Sequence, residues 1–189
     1  MTSRTLKVAG WLAMASASLT LPLLYLSFKL EGRIDLKAAD IQTIIQVFGT
    51  FLFVAIILYF KKLLNSHFKF HNADRNIELM IAANVVTGVL SIVALYLTPL
   101  QESIGSIVIA ILVIQGIVQA QFGYKLLKLP NELGGMLKPF CYANMATGIL
   151  LVTIILIPLG IVVSTISDLM LGTIFLNMSK SARNDESRP

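Results

Sequence analysis

Asp168 is the one charged side chain inside any of the long apolar runs of this 189-residue chain. A carboxyl in hydrocarbon costs about 2.5 to 3.5 kcal/mol on insertion scales, so such acids face a bundle interior and mark paths for ions, protons or polar ligands. Two places for it stay open on sequence alone: a pathway through the membrane, or the outer interface beside the turn expected at Ile157-Pro158-Leu159-Gly160. Gln46, Gln115, Asn84 and Asn144 add amides, each able to donate and accept at once. With Asp168 they form the expected ligand or ion pathway if the helices that carry them surround a common axis. The opposing reading makes each amide a hydrogen bond to a neighbouring helix.

Two of those amides belong to a repeated element. Ala83-Asn84-Val85-Val86-Thr87-Gly88-Val89-Leu90 returns as Ala143-Asn144-Met145-Ala146-Thr147-Gly148-Ile149-Leu150, with five of eight positions identical. Asn84, Thr87, Gly88 and Ser91 fall at i, i+3, i+4 and i+7, and so share one helix face. The pairs Ala83/Thr87 and Asn84/Gly88 are small-xxx-small, as are Ala143/Thr147 and Asn144/Gly148. Such faces let backbones approach while the asparagine bonds across the gap. Thr87, Gly88, Thr147 and Gly148 are therefore the expected packing residues.

The elements that must position these groups follow from composition. A chain that is 56% hydrophobic and 13% charged, with a mean hydropathy of +0.81, carries more apolar surface than one soluble core can hide. It reads as an all-α integral membrane protein of one domain. Six transmembrane helices are expected at about 8–28, 41–60, 79–100, 104–124, 141–157 and 161–178, arranged as three antiparallel hairpins with an internal repeat. The last two come from one argument. Residues 141–178 hold a single charge and would extend about 57 Å as one helix, nearly twice the hydrocarbon thickness, so they must fold back once. The breaker is expected at Pro158 and Gly160. The joint from 29 to 40 alternates in sign, the joint from 125 to 140 reads as a polar loop, and 179–189 reads as a disordered tail.

Charge sets the expected orientation. Twelve basic residues fall on the side of the two termini and three on the other, which places both termini in the cytoplasm of a cell (inner) membrane, multi-pass. The expected surroundings are the lipid bilayer, with a homo-oligomer or other membrane subunits as partners, and no nucleic acid, because the basic residues sit at the joints and form no single patch. The lone Cys141 excludes an internal disulfide. His67, His71 and Asp74 have metal-ligand spacing only if their joint is helical, and read instead as interfacial residues, so no metal is expected. No histidine lies in a span to ligate haem, no lysine lies in one to form a retinal Schiff base, and no phosphate loop or nucleophile elbow is present. No cofactor and no enzymatic activity are expected. The six-helix plan resembles that of mitochondrial carriers in outline, but the Pro-x-acid-x-x-base signature of their odd helices is missing at Pro22, Pro99 and Pro158. Two functional expectations result: transport or ligand binding through a polar intramembrane cavity, or a non-catalytic subunit that docks partners through its small-residue faces.

Overall fold

In hydrocarbon every backbone N–H and C=O must be bonded within the chain, and an apolar run of about 20 residues meets that demand as a helix. The computed structural model describes residues 1–30, 36–130 and 133–186, and it is built of six helices, with no strand among the described residues. They are α1 (Ser3–Leu30), α2 (Leu36–His67), α3 (Asp74–Tyr96), α4 (Gln101–Leu126), α5 (Leu137–Val152) and α6 (Ile157–Glu186). Five are long and apolar enough to cross a membrane. The exception is α5, which at 16 residues rises only about 24 Å.

Each helix packs on the next in the chain, and α6 returns to α1, so the six form a closed ring. The two tightest seams, α1/α6 and α4/α5, are built on glycine. A Cβ on Gly116 would meet the Gly148 carbonyl, and one on Gly123 would meet the Cys141 carbonyl at 2.7 Å. Gly10 and Gly172 face each other in the same way across α1 and α6. Backbones that close gain dispersion contacts, which is how helices associate where lipid removes the hydrophobic drive. Large apolar side chains such as Trp11, Ile44, Phe51 and Ile114 point outward instead.

Three features differ in kind from the expected ones, besides helix ends such as α2 reaching His67 and α3 starting at Asp74. The chain folds back at Thr153–Leu156, before Pro158, which sits in the first turn of α6. A proline there lacks only an N–H that has no helical partner anyway, so it starts α6 and does not end α5. The segment from 179 is helical through Glu186 and not disordered: Ser179 is buried, and its hydroxyl donates to the Ser3 carbonyl at 2.9 Å while Ser3 Oγ donates back to the Ser179 carbonyl at 2.9 Å. Residues 187–189 lie outside the described residues. The joint after α4 is no simple polar loop either. Leu129, Leu133 and Leu137 are buried beneath the bundle, and Gly134 and Gly135 turn the chain at φ of +69° and +82°. Of the sign-alternating joint, residues 31–35 lie outside the described residues.

The two ends of the ring are packed differently. At the end holding both termini, Phe60 of α2 sits edge-on to Phe122, Phe140 and Phe175 of α4, α5 and α6, with centroids 6.1, 5.5 and 6.2 Å away. Leu63, Leu64, Ile77, Leu126 and Ile174 fill in around these rings, all almost fully buried. T-shaped aromatic pairs contribute about 0.5 to 1.5 kcal/mol each beyond the area they cover, so this end is a firm plug. Among the described residues the opposite end has no such layer. Between Tyr96 and Gln101 a single 3₁₀ turn, Thr98–Leu100, links α3 to α4, and Tyr96 Oη donates to Asp40 Oδ1 at 2.7 Å to tie α3 to α2.

Candidate functional site

Inside the ring, next to the phenylalanine plug, lies a cavity of about 270 Å³ to which all six helices contribute. Asp168, Gln115, Asn84 and Asn144 all line it. Four of the five residues expected to form a polar pathway are thus brought together, from α6, α4, α3 and α5. Gln46 is not among them. It lines an adjacent cleft between α1 and α2, where its Nε2 lies 3.5 Å from Thr50 Oγ1. Of the expected packing residues, Thr147 faces the cavity, Gly148 makes the α4/α5 seam, and Gly88 packs on Gln46 and Thr50 of α2.

Asp168 lies eleven residues past the first residue of α6, about 16 Å along its axis, deep in the ring and not at its rim. Among the described residues it has neither a hydrogen-bond nor an ion-pair partner, and no basic residue lines the cavity. Gln115 and Ser164, also on the wall, likewise make no hydrogen bond to described residues. Asn84 Oδ1 is buried with no donor. A buried acceptor without a partner loses its hydration and gains nothing in return, at roughly 1 to 3 kcal/mol each.

The same cavity also holds satisfied groups. Asn144 Nδ2 donates to the Phe140 carbonyl at 2.9 Å and to Ser167 Oγ at 3.2 Å, while Gln119 Nε2 donates to Asn144 Oδ1 at 3.3 Å. Thr147 Oγ1 is tied to the Ala143 carbonyl at 2.9 Å. The cavity therefore holds internally bonded amides together with open groups, a carboxyl, two amides and a hydroxyl.

Ser16, Thr20, Ser164, Ser167 and Gln119 also line the space and were not among the expected pathway residues. For α6 a signal existed: Ser164, Ser167, Asp168 and Leu171 fall at i, i+3, i+4 and i+7 and all reach the cavity. Ser16 and Thr20 of α1 are four apart but read only as small-residue texture.

The chain matches no known protein family, no characterised protein and no solved structure.

The metal-ligand spacing at the α2–α3 joint does not survive folding. Helix α2 ends at His67, Lys69 takes φ of 51°, and His71 lies in the turn, 3.1 Å from Asp74 Oδ2, so the two histidines do not share a helical face. The rest of that joint is structural: Lys61 pairs with Glu78 at 2.6 Å, and Asn65 Nδ2 donates to both Asp74 oxygens at 3.0 Å.

Proposed function

We propose that this chain is a small transport or ligand-binding membrane protein that takes a polar group into the cavity around Asp168, Gln115 and Asn84. The observation that carries the reading is that Asp168, Gln115 and Asn84, on three different helices, bring to one cavity polar groups without partners among the described residues. A fold that only needed hydrogen bonds between helices would have satisfied them, as it does at Asn144. The alternative, a docking subunit, needs small-residue faces turned outward. Gly10, Gly116, Gly123, Gly148 and Gly172 are instead occupied within the ring. The reading is one of binding and passage without catalysis.

By the positive-inside rule the plugged end, with both termini, faces the cytoplasm of a cell membrane, and the cavity is reached from the other side. Substituted cysteines test both points in a Cys141→Ala background. Gln115→Cys and Asp168→Cys are expected to react with a membrane-impermeant thiol reagent added outside, and Ile149→Cys, on the lipid-facing surface, to stay unmodified. Protection at 46, 115 and 168 together would remove the cavity reading. Reaction only from the inside would reverse the orientation.

A further inference from the structure

The cavity does not end at the ring. It shares Ser16, Thr20, Gly49, Asn84 and Ile161 with a second space of about 240 Å³ between α1 and α2. That cleft is the more polar of the two, because Ser27, Gln46 and Thr50 line it together with Ser16, Thr20 and Asn84. On α1, Ser16, Thr20 and Ser27 fall at i, i+4 and i+11, so three hydroxyls share one helix face. The stripe begins at the inner cavity and reaches Ser27, three residues before α1 ends at Leu30, on the side of the ring away from the phenylalanine plug. Ser16 and Ser27 make no hydrogen bond to described residues. The α1/α2 seam is also the sparsest of the ring. Hydroxyls and amides facing each other across a loose seam in hydrocarbon are costly unless water or a polar ligand meets them. A polar space of this size is one that water enters.

The inner end of the path has its own preference. Asp168 has no counter-charge among the described residues, and Asn84, at the junction of the two spaces, has an amide oxygen without a donor. Both call for N–H groups, and the carboxyl calls for a positive charge. An anion would meet like charge in a low-dielectric space, where that repulsion is strongest. Most of the inner wall is apolar, with Phe53, Ile56, Met80 and Leu112 among its side chains, and this suits a small hydrocarbon body better than a bare inorganic ion. A long alkyl chain has no seat, since in the cleft it would strip water from hydroxyls and amides and return no hydrogen bond.

Resting on the cavity reading above, we infer that the α1/α2 cleft is a hydrated entry path and that the ligand it admits to Asp168 is a compact, water-borne organic ammonium. The cleft lets the cation keep its hydration on the way in, and the carboxyl then replaces it.

Thiol modification of the full chain in lipid nanodiscs, in a Cys141→Ala background, tests the route. Ser27→Cys, Gln46→Cys and Gln115→Cys are all expected to react with a trimethylammonium methanethiosulfonate. Ser27→Trp should slow the reaction at Gln115→Cys tenfold or more, with Leu23→Trp in its place should the first variant lose thermal stability; both positions line the cleft and not the inner cavity. Relative to a free thiol, Gln115→Cys should favour the trimethylammonium reagent over its sulfonate counterpart at least tenfold, and Asp168→Asn should remove that preference. In calorimetric titration, one cyclohexylammonium per chain should bind at least tenfold more tightly than cyclohexanol or cyclohexanecarboxylate, and sodium ions in tenfold excess should not displace it. Unreactive cysteines at 27 and 46, or an unchanged rate at 115 behind the tryptophan, would overturn the route and leave the cavity reading standing so long as 115 and 168 react. Cyclohexylammonium that fails to bind, binds no better than the alcohol or the carboxylate, or yields to sodium would overturn the ligand class. If cysteines at 115 and 168 are unreactive as well, the cavity reading falls with the inference.

Discussion

Ala83–Leu90 on α3 and Ala143–Leu150 on α5 are nearly the same eight residues put to different ends. In α5, Asn144 is fully engaged with Phe140, Ser167 and Gln119, Thr147 bonds back to Ala143, and Gly148 lies against the backbone of Gly116 and Ala120. In α3, Asn84 Oδ1 and Thr87 Oγ1 are buried without partners among the described residues, and the atoms nearest to a Cβ on Gly88 belong to the side chains of Thr50 and Gln46. The α5 copy is packing glue. The α3 copy leaves two of its polar atoms without partners among the described residues. One motif can serve either end because what an asparagine does depends on whether its neighbours bring complementary groups, and neighbours are a property of the ring.

The sharpest way to test that contrast is the same substitution at the two glycines. Gly148→Ala puts a Cβ into the Gly116 carbonyl and at 2.6 Å from the Ala120 nitrogen, backbone atoms that cannot step aside without opening the α4/α5 seam. A loss of about 3 kcal/mol, the upper end of overpacking costs, is expected in reversible unfolding by SDS. Asn144→Leu comes next. It strands Gln119 and removes the tie to Ser167, and should cost about 1 to 2 kcal/mol by the same assay.

Gly88→Ala should cost under about 1 kcal/mol, because the atoms a Cβ would meet are Thr50 Oγ1 at 2.9 Å and Gln46 Nε2 at 3.2 Å, both able to rotate away. A loss matching that of Gly148→Ala would show the two seams to be equivalent and end the comparison. Asn84→Leu is the smallest effect on stability. Removing an acceptor that lacks a donor should leave the unfolding midpoint unchanged or slightly raised. If Asn84→Leu destabilises the protein as much as Asn144→Leu, both copies are glue and the open groups have no special role.

Much of the fold was legible because a bilayer leaves so few choices. Runs such as 41–60 can only be helices there, and the 141–178 stretch can only bend back once. Asp168 and Gln115 stood out because polarity in an apolar run is costly and therefore informative. Less visible were Ser16, Thr20, Ser164 and Ser167. Hydroxyls in helices commonly bond their own backbone, as Thr20 does to the Ser16 carbonyl at 2.9 Å, and so tell little about what lies across from them. The plug was hidden for a related reason: Phe60 and Phe175 bury against each other while Phe51 and Phe48 face outward, and nothing in an apolar run distinguishes the two. The fold-back was misplaced because Pro158 is as good at starting a helix as at ending one.

Sequence by itself, then, determined the number of helices, the order in which they must pair along the chain and that one acid lies within an apolar run, while the depth of that acid was left open until the start of α6 was known. These follow from hydrophobic thickness, backbone hydrogen bonding and the cost of charge, all of which act on one helix at a time. Closure of α6 onto α1, the sealing of one end by four phenylalanines, and the division of Asn84 from Asn144 into an open amide and a bonded one were decided only in the tertiary structure. Each depends on which side chain from another helix arrives opposite, and in a membrane, where every outer face meets equally apolar lipid, hydrophobicity does not choose that partner.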